Sequence, residues 1–144
     1  MDQEEFSLEE FGKLKVKEIM VRDPLYITPN EKISATELLM LRKNIGGLPV
    51  VESKENKKLI GIITQRDIRL ARFATSLESH TIVKDLMTSE PYIARESDTL
   101  KEILKKIYKF NIERLPVVDE KNQLIGLILE KNILDKMAGF LKVD

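Results

Sequence analysis

Thr64 and Asp67 stand three residues apart, where the apolar run Leu59-Ile60-Gly61-Ile62-Ile63 gives way to a polar one. A carboxylate offers two acceptor oxygens, which suits the paired hydroxyls of a sugar. The Thr64 hydroxyl, with the N–H groups that a starting helix leaves unbonded, suits an anion such as phosphate. Gly46 and Gly47 lack side chains, so a flat ring can approach the backbone there, with Ile45, Leu48 and Pro49 as an apolar wall. Arg66 lies beside Asp67, and Arg114 lies in Glu113-Arg114-Leu115-Pro116-Val117. A guanidinium fork matches phosphate geometry. None of these groups makes or breaks bonds. Each also has a plainer use. A Thr-x-x-Asp pair caps a helix, a Gly-Gly pair makes a turn, and an arginine forms a solvated ion pair. Arg66, Arg69 and Arg72 recur every three residues, as a basic stripe or as a solvated helix face. His80, the sole histidine, has no companion in sequence for a metal site or a catalytic dyad.

Composition narrows the classes. The 144 residues are 42% hydrophobic, enough for a folded core, and 33% charged. The 24 basic and 24 acidic residues cancel, which argues against a chain devoted to nucleic acid. With no cysteine, disulfide scaffolds, thiolate metal sites and cysteine nucleophiles are excluded, and a cytoplasmic setting is expected. No apolar run reaches the roughly 18 residues of a membrane span, and no signal peptide is visible.

The elements that must position these residues occur twice. Lys17-Glu18-Ile19-Met20 returns as Lys84-Asp85-Leu86-Met87, Pro24 as Pro91, Asn44-Ile45 as Asn111-Ile112, and Leu48-Pro49-Val50-Val51 as Leu115-Pro116-Val117-Val118, at one common offset. Leu59-Ile60-Gly61 returns as Leu124-Ile125-Gly126 at a smaller offset, because the first copy has the longer turn. This divides the chain into an N-terminal arm with a short helix (1–15), a first repeat (16–73), a linker (74–82), a second repeat (83–138) and a tail (139–144).

Each repeat reads strand, helix, strand, strand, helix, an α/β chain of the α+β type. Leu25-Tyr26-Ile27 reads as a short strand and Asn30 as the cap of a helix ending near Asn44. In the second copy Leu100, Ile103, Leu104 and Ile107 recur at helical spacing. The first copy has Ile33, Thr36, Glu37 and Met40 there, so its helix face is either rotated or partly exposed. Residues 48–51 and 59–63 form a hairpin, and a helix starts after Thr64. The second copy repeats this with a strand over 124–129 and a helix over about 130–139. Continuous apolar strands imply burial on both faces. Ser7-Leu8-Glu9-Glu10 has a capping-box pattern and starts a short helix carrying Leu8 and Phe11.

The order Met20-x-x-x-Pro24, a helix, Gly47-Leu48-Pro49-Val50-Val51, then Leu59-Ile60-Gly61-Ile62-Ile63-Thr64-Gln65-Arg66-Asp67 resembles the cystathionine-β-synthase (CBS) domain. The resemblance covers nearly the whole chain, twice over. The first copy looks most like the regulatory pair within IMP dehydrogenases, whose catalytic barrel of roughly 250 residues could not fit here. A tandem CBS pair implies two repeats packed about a pseudo-twofold axis, with adenosine-type ligands in the clefts between them. The expected ligand is AMP, ADP or ATP, acting as a regulator and not as a catalytic cofactor. Asp67 would take ribose, and Thr64, Arg66 and Arg114 phosphate; some members carry an arginine at the Arg114 position for that purpose. The second copy has Leu129 for Thr64 and Asn132 for Asp67, so its own site is degenerate, and the second cleft is expected either to be empty or to use another ligand geometry.

The resemblance also implies a homodimer, with Met40, Leu41, Ile107 and Tyr108 as candidate contacts, and a regulated protein partner. No catalysis, metal or membrane association is expected. Competing readings are a ligand-free interaction module, an S-adenosylmethionine sensor, and nucleic-acid binding through the arginine stripe.

Overall fold

A computed structural model describes residues 7–74 and 77–143. A short helix, α1 (Leu8–Gly12), comes first. Its cap Ser7 accepts the Glu10 N–H at 3.1 Å, as the capping pattern requires, and Phe11 is buried edge-on against Phe140 while Leu8 stays exposed. The first repeat then runs through a 3-10 turn (Val16–Glu18), β1 (Val21–Arg22), α2 (Ile33–Lys43), β2 (Gly47–Val51), β3 (Leu59–Thr64) and α3 (Gln65–Ala74). The second runs α4 (Val83–Leu86), β4 (Thr88–Ser89), α5 (Leu100–Phe110), β5 (Arg114–Val118), β6 (Leu124–Leu129) and α6 (Glu130–Leu141). The mixed α+β class expected from the pattern is the observed one.

The two middle helices show how one fold tolerates two sequences. In α5, the Thr99 hydroxyl accepts the Glu102 N–H at 3.2 Å and the Glu102 carboxylate accepts the Thr99 N–H at 2.9 Å, a complete capping box. Leu100, Ile103 and Ile107 are buried along one face. In α2 the equivalent Ile33, Thr36 and Met40 are buried too, so the face is not rotated, while Glu37 on its flank stays half-exposed. Thr36 is tolerated there because its hydroxyl donates to the Lys32 carbonyl at 2.9 Å. Asn30 does not cap α2. Lys32 holds the cap position without a side-chain bond, and the Ile33 N–H donates instead to the Thr81 carbonyl at 3.0 Å. A backbone acceptor has taken the place of a capping side chain. Both helices end on asparagine in the left-handed region, Asn44 (φ 53) and Asn111 (φ 52), which closes a C-terminus at little steric cost.

Leu25-Tyr26-Ile27 is not a strand. Ile27 makes a single parallel bridge to Val50, and the two-residue strand β1 lies before Pro24. Asp23, at φ 46, turns the chain between them, and Glu90, at φ 51, does the same in the second repeat.

Two three-stranded sheets form, ordered β1-β6-β5 and β2-β3-β4. Each therefore takes one strand from the other repeat. Val21 and Arg22 pair antiparallel with Leu127 and Gly126, while Thr88 and Ser89 pair with Ile62 and Gly61. Two backbone bridges follow the same exchange, Lys15 to Thr99 and Lys32 to Ile82. The chain accordingly folds as two units. One comprises Met1–Pro24, Tyr92–Asp119 and Ile125–Asp144, the other Leu25–Pro91 and Glu120–Leu124. The first unit's core joins Val16, Ile19 and Met20 to Leu100, Ile103, Leu115, Val117 and Ile128. The second joins Ile33, Met40, Leu48, Val50, Ile63 and Ile68 to Val83. Full burial of each such aliphatic side chain contributes about 1.5–3 kcal/mol.

Glycine is required where the exchanged strands land. A Cβ on Gly61 would lie 2.8 Å from the Met87 sulfur and 2.9 Å from the Thr88 carbonyl. One on Gly126 would lie 2.5 Å from the Met20 sulfur and 3.2 Å from the Val21 carbonyl. Each methionine fills the notch that the missing side chain leaves. All five residues of β2 are buried, as a two-faced strand should be, but β3 alternates between buried and half-buried.

Candidate functional site

Thr64 ends β3 and Asp67 lies in the first turn of α3. They bond reciprocally. The Thr64 N–H donates to Asp67 Oδ2 at 2.9 Å, and the Asp67 N–H donates to Thr64 Oγ1 at 3.1 Å. The plain capping role is thus real, and it uses only one carboxylate oxygen. No described residue engages Asp67 Oδ1. Across the hairpin Gly47 is the ladder partner of Thr64, and the Gln65 N–H donates to the Gly46 carbonyl at 2.9 Å. One corner of the unit therefore assembles Gly46, Gly47, Thr64, Gln65 and Asp67.

Two expectations about this corner need correction. The N–H groups of Thr64, Gln65 and Asp67 already have protein acceptors, so the start of α3 does not offer a free set to an anion. That leaves the Arg66 N–H, the one first-turn donor with no acceptor among the described residues, together with side chains, to meet a phosphate. Nor is Leu48 part of an apolar wall, because it is buried in the core with Val50 and Ile63, and Ile45 packs against the same core. Successive strand residues face opposite ways, so the face that Gly47 presents is shared by Pro49 and its ladder partner Ile62, of which Pro49 is buried and Ile62 half-buried. Counting back two residues from Thr64 would have found Ile62 in the sequence.

The three arginines of α3 are all exposed but differ in their surroundings. Arg72 makes a two-pronged ion pair with Glu37, and that hydrogen bond raises its pKa above the ordinary arginine value. Arg66 is exposed beside Asp67, with no partner among the described residues. Arg69 lines a surface groove of about 420 Å³ between α2 and α3, with Ser34, Glu37, Leu38, Leu41 and Gln65. His80 is exposed, with Nδ1 3.5 Å from the Glu78 carboxylate. No cluster of metal-ligating side chains occurs among the described residues, and no described helix is long and apolar enough to cross a membrane.

Arg114 belongs to the other unit, with Leu129 and Asn132. The Leu129 N–H donates to Asn132 Oδ1 at 2.8 Å, which repeats one half of the Thr64–Asp67 pair; leucine has no hydroxyl to supply the other half. Arg114 opens β5 and its side chain is 22% exposed, with Glu113 Oε1 at 3.9 Å. The sequence grouping of Arg114 with Thr64, Arg66 and Asp67 is thus divided over two units. Of the candidate dimer contacts, Met40 and Ile107 are core residues, while Leu41 and Tyr108 are exposed.

This arrangement, a repeated strand–helix–hairpin–helix with lead-in strands exchanged, defines a paired-repeat module. The sequence profile of the CBS domain matches residues 16–73 and 83–139, and the chain belongs to the CBS domain family. It is 38% identical over 134 residues to inosine-5'-monophosphate dehydrogenase from Streptococcus pyogenes, covering 92% of this chain and 26% of that protein. With the enzyme of the same name from Methanocaldococcus jannaschii, identity is 35% over 122 residues, covering 85% and 23%. The chain thus spans about a quarter of these relatives' length. Among solved structures it is similar to a putative acetoin utilization protein from Vibrio cholerae, with TM-score 0.80, 28% identity, and 90% and 94% of the two chains covered. It is likewise similar to the CBS domain pair of protein MJ0100 in complex with 5-methylthioadenosine and S-adenosyl-L-methionine, with TM-score 0.75, 28% identity, and 87% and 96% covered. The fold is also that of CBSX2 in complex with AMP, at TM-score 0.78 and 24% identity, covering 89% and 98%.

Proposed function

We propose that this CBS pair is a non-catalytic cytoplasmic sensor of an adenosine nucleotide, AMP, ADP or ATP. The observation that carries the reading is the uncommitted oxygen of Asp67 beside the glycine pair Gly46-Gly47. A ribose diol would bond that oxygen, the base would lie against Gly47, Pro49 and Ile62, and the Thr64 hydroxyl and Arg66 would meet the first phosphate. Adenosine-type ligands in the complexes of similar CBS pairs support the choice of ligand class. The bound form would signal by favouring one packing of the module or of a homodimer over another, since a ligand shifts an equilibrium only through differential affinity. Exposed Leu38, Leu41, Leu70 and Phe73 on α2 and α3 supply an apolar face for such a dimer. The regulated protein would then read the change.

S-adenosylmethionine is the second reading, favoured by the similar CBS pair that holds it. It shares the ribose, so Asp67 would serve it equally.

Melting curves with AMP, ADP, ATP, GMP and S-adenosylmethionine test both. Ligand at about 100 times its dissociation constant adds roughly 2.7 kcal/mol, a rise of several degrees. Asp67→Asn is the informative variant, because Asn132 shows that asparagine keeps this cap. A rise with an adenosine ligand that disappears in Asp67→Asn supports the proposal. No rise with any of them at millimolar concentration would leave a ligand-free interaction module.

A further inference from the structure

We propose that Met87 is a site of reversible oxidation, and that its sulfoxide releases the exchanged strand β4 from β3. The chain has no cysteine, so methionine is its only sulfur. Two of the methionines, Met20 and Met87, stand at the same place in the two repeats, each directly before an exchanged strand of two residues. Each lodges its sulfur over a glycine of the receiving strand. A Cβ on Gly61 would lie 2.8 Å from the Met87 sulfur, and one on Gly126 would lie 2.5 Å from the Met20 sulfur. What differs is access. Met20 is 8% exposed and Met40 fully buried, whereas Met87 is half-buried. Met137 is half-buried too, but it lies within α6 and precedes no exchanged strand.

The anchor matters because the strand is so short. β4 offers Thr88 and Ser89 alone, paired with Ile62 and Gly61, and both are exposed. The next bond along, from the Glu90 N–H to the Ile60 carbonyl, is long at 3.4 Å. The apolar hold comes from Leu86 and Met87, which pack against the core of the unit. Hydrogen peroxide is small enough to reach a half-buried thioether. A sulfur lone pair attacks one peroxide oxygen, the O–O bond breaks, the sulfur is oxidised by two electrons, and the other oxygen leaves as water. The product is a polar group that accepts hydrogen bonds and donates none. The Gly61 side has no room for its oxygen, since even a carbon there would overlap the sulfur, and the group beside it is the Thr88 carbonyl, another acceptor. The sulfoxide is satisfied only by turning toward water, which empties the notch. β4 is then held by its few backbone bonds and Leu86.

The proposal does not require the nucleotide reading, because neither Met87 nor Gly61 belongs to the corner at Asp67. The test treats the full chain with hydrogen peroxide, follows each methionine by peptide mass spectrometry, and reads amide hydrogen exchange over residues 60–62 and 88–90. Met87 is expected to oxidise faster than Met20 and Met40, and exchange over those segments to rise about tenfold or more, as for a local opening. Treatment with both methionine sulfoxide reductases should restore slow exchange. Met87→Leu keeps the volume but has no sulfur to oxidise, so its exchange should not respond to peroxide. Oxidation of Met87 no faster than that of Met20, unchanged exchange once Met87 is oxidised, or an equal rise in treated Met87→Leu would each overturn the site. If Met87→Leu folds poorly, the wild-type chain decides by itself: exchange that stays fast after the sulfoxide has been reduced would mean that the opening has another cause.

Discussion

Asp67 and Thr64 hold each other by two backbone-to-side-chain hydrogen bonds, at 2.9 and 3.1 Å, across the junction of β3 and α3. Asp67→Ala removes one of them and leaves the Thr64 N–H without its acceptor. The expected loss is about 1 kcal/mol, within the usual range for a helix cap, and it is read from chemical denaturation without ligand. Asp67→Asn should lose less than half of that. A variant series in which both substitutions destabilise equally would show that the charge, and not the bond, holds the corner.

Gly61→Ala and Gly126→Ala each place a methyl group against a methionine sulfur and a backbone carbonyl. Each should cost about 1–3 kcal/mol by overpacking. Shortening the opposing side chain relieves only the sulfur contact, so Gly61→Ala with Met87→Ala should show coupling in a double-mutant cycle, with a residual cost from the Thr88 carbonyl.

Glu37 and Arg72 form an exposed ion pair where the second repeat has Leu104 and Met137, both packed against their core. Exposed pairs contribute about 0.2–1 kcal/mol. The double variant Glu37→Leu with Arg72→Met, which copies the second repeat, should therefore melt within a few degrees of the wild type. A large loss would mean that the pair does more than bridge α2 and α3.

Glu102 is the acid whose titration should be visible. The hydrogen bonds from Thr99, backbone first and hydroxyl second, hold its carboxyl below the ordinary glutamate value, with Lys15 and Lys105 adding to the effect. A carboxyl lowered on folding contributes stability above its unfolded value and loses it as pH falls through the folded one. Stability should thus decline on acidification from the ordinary glutamate range downward. Glu102→Gln should flatten that part of the pH profile while keeping α5 formed.

Leu41→Glu places a charge on the exposed face of α2 and leaves the core untouched. If two copies pair through α2 and α3, sedimentation should show the variant as a monomer at concentrations where the wild type is a dimer. Tyr108→Glu, on α5, serves as a comparison at the equivalent position.

Much of this was legible in the sequence. The helix α5 announces itself because Leu100, Ile103 and Ile107 repeat at the helical period, and the hairpins because their apolar runs flank polar turns. The start of α2 was not legible, because its cap is a carbonyl from residue 81 and no local residue signals that. The exchanged strands escaped for a similar reason. Two residues are too few to show an alternating pattern, and their partners lie in the other repeat. At the site, Thr64 and Asp67 were found by type and spacing. Leu48 was misplaced because residue type alone does not say which face of a strand it takes. Arg114 was grouped by the chemistry it offers, which carries no information about which unit holds it.

The exchange of lead-in strands bears on how such a chain can arise. A lone repeat has a helix and a hairpin that call for a lead-in it cannot supply to itself, since its own lead-in serves a neighbour. Two identical single repeats could complete each other by trading those segments, and joining them end to end would yield this topology without any element changing place. A two-chain assembly of single repeats would satisfy the same strand pairing, and fusing its chains would turn a contact between subunits into an internal one. From that step onward the two halves could diverge, as the Thr64–Asp67 and Leu129–Asn132 caps have, but could no longer be inherited separately.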